Sequence, residues 1–122
     1  MPLPTRSRRC ARAAARQAQT KLKSRQSALT QAERGASAEI ESAHAELALN
    51  VERLEAAQAA VDAARINYQS AIEAQRAGAA GTTLVTVLTA QVSLVTAESN
   101  FVEALYGYFS AEIGLRVATG QP

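Results

Sequence analysis

The chain's only histidine, His44, follows Glu41 by three residues, the Glu-x-x-His spacing with which helical bundles hold paired metal ions. Such a centre needs two of these motifs and further inward carboxylates. Glu39, Glu46 and Glu52 recur along the same stretch, but no second histidine does, so one chain cannot complete the site and only a homodimer could. A lone histidine among acids on a helix is a surface residue before it is a ligand or a base. Cys10 is the only cysteine, which excludes an internal disulfide and a cysteine-built metal site. Gly78 and Gly81 make a Gly-x-x-Gly that lacks the preceding strand, the third glycine and the lysine of a phosphate loop, and it reads as a turn. These residues predict no enzyme and no cofactor. What is informative lies in the elements that carry them.

The composition bounds those elements. The chain has 122 residues, of which 48% are hydrophobic but only 4% aromatic, with no tryptophan. Alanine supplies much of the apolar count and buries little area per residue, so one hairpin of this sequence has a thin core and needs oligomerisation or further chain. The net charge of +2 conceals an asymmetry: Arg6, Arg8, Arg9, Arg12, Arg16, Lys21, Lys23 and Arg25 all precede the first acid, Glu33. Such an arm could meet nucleic acid or an anionic membrane, or act as a mitochondrial presequence; the plain reading is a solvated basic helix end. No aromatic residue interleaves with the bases and no groove-reading motif follows them, so no nucleic-acid partner is predicted. Nothing in the chain approaches a bilayer-spanning apolar run, and the residues before Cys10 lack an export signal.

Pro2 and Pro4 predict an extended segment over 1–5. From Arg6 to Ala77 there is no proline, and the pattern predicts one long helix over 6–77, on the order of 100 Å at about 1.5 Å per residue. Leu22, Leu29, Ala36, Ala43, Ala57, Ala64 and Ala71 share one heptad position, and Ile40, Leu47, Leu54, Val61 and Tyr68 share the other. Asn50 falls on the first, where a polar residue sets register at some cost in stability. Gly78 can cap that helix in the left-handed conformation, and Thr82 or Thr83 can cap the next, so the chain reverses over 78–83.

The second helix, predicted over 84–119 with a tail at 120–122, carries two stripes. Val87, Leu94, Phe101, Tyr108 and Leu115 recur every seven residues, and Ala90, Ala97, Ala104, Ala111 and Ala118 follow three residues behind. Large and small residues therefore alternate along one face, the signature of lengthwise helix packing in which alanines let two backbones approach. Beside it run Leu88, Val95, Val102 and Phe109, filled in by Val85, Val92, Tyr106 and Ile113. Gly107 and Gly114 inside this helix cost about 1 kcal/mol each relative to alanine unless close packing or a bend uses them. The fold class predicted is all-α, a long antiparallel helical hairpin of coiled-coil type, and this helix needs a neighbour on two sides.

The run Thr-Leu-Val-Thr-Val-Leu-Thr-Ala-Gln at 83–91, then Ala97-x-x-Asn100, and Ala104-Leu105-Tyr106-x-Tyr108-x-x-Ala111-x-x-x-Leu115-x-x-Ala118-x-Gly120 resemble the C-terminal part of the TolC-like outer-membrane efflux family. Upstream, Glu39-Ile40-Glu41-Ser42-Ala43, Ala63-Ala64-x-x-x-Tyr68 and Arg76-Ala77-Gly78 stand at similar spacings. The resemblance covers the chain from about residue 15 onward. It implies a homotrimeric channel whose protomers each contribute two repeats of membrane strands and long tunnel helices, docking tip-first on a periplasmic adaptor that serves an inner-membrane pump. It places 6–77 as a long tunnel helix of the second repeat, 78–83 as the periplasmic tip and 84–119 as the returning helix. The implied adaptor-docking residues are Gly78, Gly81, Thr82 and Thr83. Thr86 and Thr89 stand where the family has the acidic residues of its tunnel constriction, so this chain departs from that ring. The implied location is the cell outer membrane and periplasm.

No membrane strands, first repeat or signal peptide are read in this sequence, which predicts a C-terminal fragment of such a channel. The competing expectation is a soluble or mitochondrial coiled-coil interaction protein targeted by the basic arm. Seam count separates the two, because a simple coiled coil needs one apolar stripe.

Overall fold

The computed structural model describes residues 5–121, with side chains described from Ser7 onward. Two helices make up the described chain: α1, Thr5–Arg76, and α2, Leu84–Ala118. Among the described residues there is no strand. The extended segment expected over 1–5 lies outside the described residues except for Thr5, which opens α1. The chain divides into two units, one ending at Glu39 and one beginning at Ile40, with α1 running through both.

In the first unit every described side chain from Ser7 to Glu39 is exposed. Leu22 and Leu29 are 59% and 61% exposed, and Ala36 is exposed as well. The heptad pattern puts these three on a stripe of a helix predicted to be about twice as long as its partner, and in the structure that part of the stripe is uncovered. The paired seam positions run from Ile40 to Ala71 on α1 and from Val87 to Ala118 on α2, two stretches of equal length. The seam of α1 continues in sequence beyond the point where α2 has residues to cover it.

The second unit is an antiparallel hairpin, held by one pairing rule. Counting outward from the turn, Ala71 comes level with Val87, Tyr68 with Ala90, Ala64 with Leu94 and Val61 with Ala97. Ala57 then meets Phe101, Leu54 meets Ala104, Leu47 meets Ala111, Ala43 meets Leu115 and Ile40 meets Ala118. Each level holds one large side chain and one alanine, and the large one switches helix at every step. All these positions are buried or half-buried. The core is thin nonetheless: among the described residues Val61, Val87, Ala90, Ala97 and Ala111 are the buried apolar ones, and no large side chain is fully buried.

One level breaks the rule. Opposite Tyr108 the pattern calls for alanine, and the chain has Asn50, which is only 8% exposed. Its Nδ2 donates to the Glu46 carbonyl at 2.9 Å, so the buried amide is partly satisfied within its own helix, as a buried polar group must be. Its Oδ1 points at Gly107, where an added Cβ would lie only 2.8 Å away. Gly107 thus makes the room that Asn50 takes, whereas an added Cβ at Gly114 would meet nothing within 4 Å.

Two substitutions on one helix separate packing from propensity. Gly114→Ala should stabilise the hairpin by up to about 1 kcal/mol, because alanine is the better helix former. Gly107→Ala should instead fall about 1–3 kcal/mol below that gain, because it overpacks a buried amide. Adding Asn50→Ala to Gly107→Ala should recover most of the difference. Thermal unfolding followed by circular dichroism measures all three, and equal stabilisation by the two glycine replacements would show that the close approach imposes nothing.

Candidate functional site

The turn between the helices is built by its hydrogen bonds. After Arg76 the Ala77 amide donates to the Glu73 carbonyl at 2.9 Å, the Gly78 amide to Gln75 at 3.1 Å and the Ala79 amide to Ala74 at 3.0 Å. The last two form a Schellman motif, which requires a left-handed residue, and Gly78 supplies it at φ 67°. The Thr82 amide then donates to the Ala79 carbonyl at 3.2 Å. Of the two threonines able to start α2, Thr83 does so. Its hydroxyl accepts from the Thr86 amide at 3.4 Å, and the Thr86 hydroxyl accepts from the Thr83 amide at 3.4 Å, a reciprocal box that satisfies two otherwise open donors. Gly78, Gly81 and Thr83 are exposed and Thr82 is half-buried.

Three faces of α2 follow from its heptads. On the first, Val87, Ala90, Ala97 and Ala111 are buried, and Leu94, Phe101, Ala104, Tyr108 and Leu115 are half-buried against α1. The second holds Val85, Leu88, Val92, Val95, Val102, Tyr106, Phe109 and Ile113, all between 48% and 72% exposed. It is a 3-and-4 apolar repeat interrupted at Ser99 and without a partner, offset from the first by two residues, which sets it roughly 150° around the helix. Between the two lies a third face carrying Thr86, Thr89, Ser93, Thr96 and Asn100, all exposed.

The third face is hydroxyl-lined and uncharged near the turn. No charged residue occurs on α2 before Glu98, and an open groove beside Thr86, Thr89 and Ser93 reaches Asn67 of α1. The hydroxyls of Thr89 and Thr96 donate to the carbonyls of Val85 and Val92 at 2.8 Å, and that of Ser93 to Thr89 at 3.0 Å. Their protons are therefore held by the helix, and what they offer outward is oxygen lone pairs. The sequence singles out Thr86, Thr89 and, through the resemblance, Asn100, but not Ser93 and Thr96, although the same 3-and-4 spacing continues through all five.

The remaining candidates stay apart. His44 and Glu41 are exposed, Cys10 is exposed, and no group of three or more His, Cys, Asp or Glu among the described residues could hold a metal ion. No helix among the described residues is long and apolar enough to cross a membrane. Among the described residues two ion pairs are formed, Arg116 with Glu112 at 2.7 Å and Arg65 with Glu98 at 4.0 Å. Both are solvent-facing, and the second reaches from α1 to α2 across the rim of the hairpin.

The capping box has a measurable consequence. Thr83→Ala should cost roughly 0.5–1 kcal/mol, the lower range for a lost cap because its bonds are long. Faster amide exchange should be confined to the first turn of α2. Thr82→Ala should leave that exchange unchanged, and a larger effect at Thr82 would assign the cap to the wrong threonine.

No curated protein and no solved structure matches the chain. A family model described as outer membrane efflux protein matches residues 1–121. That span takes in both helices, the turn that joins them and all three faces of α2. The chain therefore belongs to the outer membrane efflux protein family.

Proposed function

We propose that this chain is a wall segment of an outer-membrane efflux channel, acting in a tripartite export or type I secretion assembly. The observation that carries the reading is the pair of heptad seams on α2, one covered by α1 and one open. A helix in a closed tube has a neighbour on each side and a remaining face in contact with water, and α2 has that division. The basic exposed segment of α1 favours no competing reading by itself, since it lacks the aromatic residues and the apolar face that a nucleic-acid or membrane contact uses.

In this reading residues 6–77 descend along the tunnel, 78–83 form its periplasmic tip and 84–119 return. The tip, with Gly78, Gly81, Thr82 and Thr83, docks on an adaptor that links the channel to an inner-membrane pump. Three protomers close the tube at the outer membrane. Thr86 and Thr89 line the constriction, which then carries hydroxyls in place of fixed negative charge. Members of this family are channels rather than enzymes, and the exported molecule passes without chemical change.

Val95 and Val102 lie at the centre of the open seam, 55% and 48% exposed. Replacing both by lysine should leave the α1–α2 pairing folded, as circular dichroism reports. In cells whose export depends on the protein carrying this segment, the double variant should lose the cross-linked trimer and return drug susceptibility to that of the deletion strain. A simple two-stranded coil would tolerate both lysines, and retained trimer with retained export would rule out the wall assignment. A photocrosslinker at Ala80, exposed in the same turn, should capture the adaptor.

A further inference from the structure

Two faces of this chain lack partners, and they match each other. The open seam of α2 is large and apolar. The segment of α1 before Ile40 has no covered side chain, yet it repeats small residues at the same 3-and-4 spacing, with Ala11, Ala15 and Ala18 leading to Leu22. A lone helix with no tertiary partner is marginal in water, so its stability depends on finding a surface that fits. We propose that the open seam of α2 receives residues 8–36 of α1 from a second copy of this chain, the two helices running parallel. The pairing concerns the chain on its own and does not rest on the channel-wall reading.

Register carries the argument. With Ala11 set level with Leu88, small again meets large at most levels between copies: Ala15 meets Val92, Ala18 meets Val95, Ala32 meets Phe109 and Ala36 meets Ile113. The one small residue within the open seam, Ser99, meets Leu22. Three levels depart from this pattern: Arg8 and Arg25 come level with Val85 and Val102, where a long stem can cover each valine while the guanidinium reaches the rim, and Leu29 comes level with Tyr106, two large side chains together. The charges agree with this register. Acids flank the open seam at Glu98, Glu103 and Glu112, and the arm is basic up to Glu33. Lys21 stands five residues before the position level with Glu103, the offset at which flanking residues pair across parallel coiled helices.

The alternative, two open seams of α2 packing on each other in parallel, fails both criteria. It sets Glu98 of one copy against Glu103 of the other and stacks large side chains on large ones at almost every level. The size of the seam also suffices. Eight large side chains at 48–72% exposure present on the order of 100 Å² each, and a standard interface takes about 800 Å² from each partner.

Disulfide trapping of the full chain in a Cys10→Ser background tests the register. Mixing Ala18→Cys with Val95→Cys copies should give the mixed disulfide, whereas Ala18→Cys with Phe109→Cys, two heptads away, should not. Sedimentation should show self-association that Lys21→Glu weakens about threefold, the scale of one exposed ion pair, and that adding Glu103→Lys restores. Both of these side chains are exposed, so neither change threatens folding. A monomer across the accessible concentration range, or a Val95→Cys homodisulfide formed in preference to the mixed one, would overturn the proposal.

Discussion

The distance between α1 and α2 is set by alanine, and most of the structure answers to that. At each level of the hairpin one helix offers alanine and the other a large side chain. Two large residues would push the backbones apart and two alanines would leave a void, each at the cost of a core mismatch. Because the large residue changes sides at every step, neither helix can shift by one level without bringing large against large and small against small. Alternation therefore fixes the register as well as the spacing. Asn50 is the single place where the small position is enlarged, and Gly107 is the adjustment that keeps the helices close there.

A hairpin built in this way stays under-packed. Alanine brings backbones together but removes little apolar area from water, and the buried residues of the seam are four alanine or valine positions on α2 with Val61 and Asn50 facing them. The larger apolar side chains of α2 are mostly on its other side, exposed. Area burial at about 25 cal/mol per Å² makes that outer seam the larger unused source of stabilisation. Packing against that seam would add more burial than the hairpin itself supplies.

The hairpin was legible in the sequence because its signals are local and periodic: heptads for the helices, Gly78 for the reversal, a second stripe for a second neighbour. Where α1 loses its cover was not, because the seam at Leu22, Leu29 and Ala36 has the same spacing as the seam beyond Ile40, and only the length of α2 decides which part is used. The cap lay between two adjacent threonines of equal propensity, and backbone hydrogen bonding from Ala79 to Thr82 chose Thr83. The level of Asn50 with Tyr108, beside Gly107, could have been counted from the turn, since the two helices pair without a bulge. The full hydroxyl face was missed for a different reason: serine, threonine and asparagine carry weak periodic signals beside apolar stripes, although their spacing is the same.

That hydroxyl face shows how a helix can present polar groups to water without fixed charge. Threonine and serine inside a helix compete with the backbone, and here Thr89, Ser93 and Thr96 resolve the competition by donating to the carbonyl four residues back. The donor is spent internally, so a molecule that touches this face meets acceptor oxygens and no counter-charge. An aspartate in the same position would attract cations over about 8 Å at physiological ionic strength, whereas a hydroxyl oxygen acts only in contact. A ring of carboxylates selects by charge at a distance; a ring of back-bonded hydroxyls wets the surface and leaves selection to size. Exchanging the hydroxyl of Thr89 for a carboxylate would thus trade contact-range acceptors for a long-range field, while the Thr83–Thr86 box and both seams, which do not involve Thr89, stay as they are.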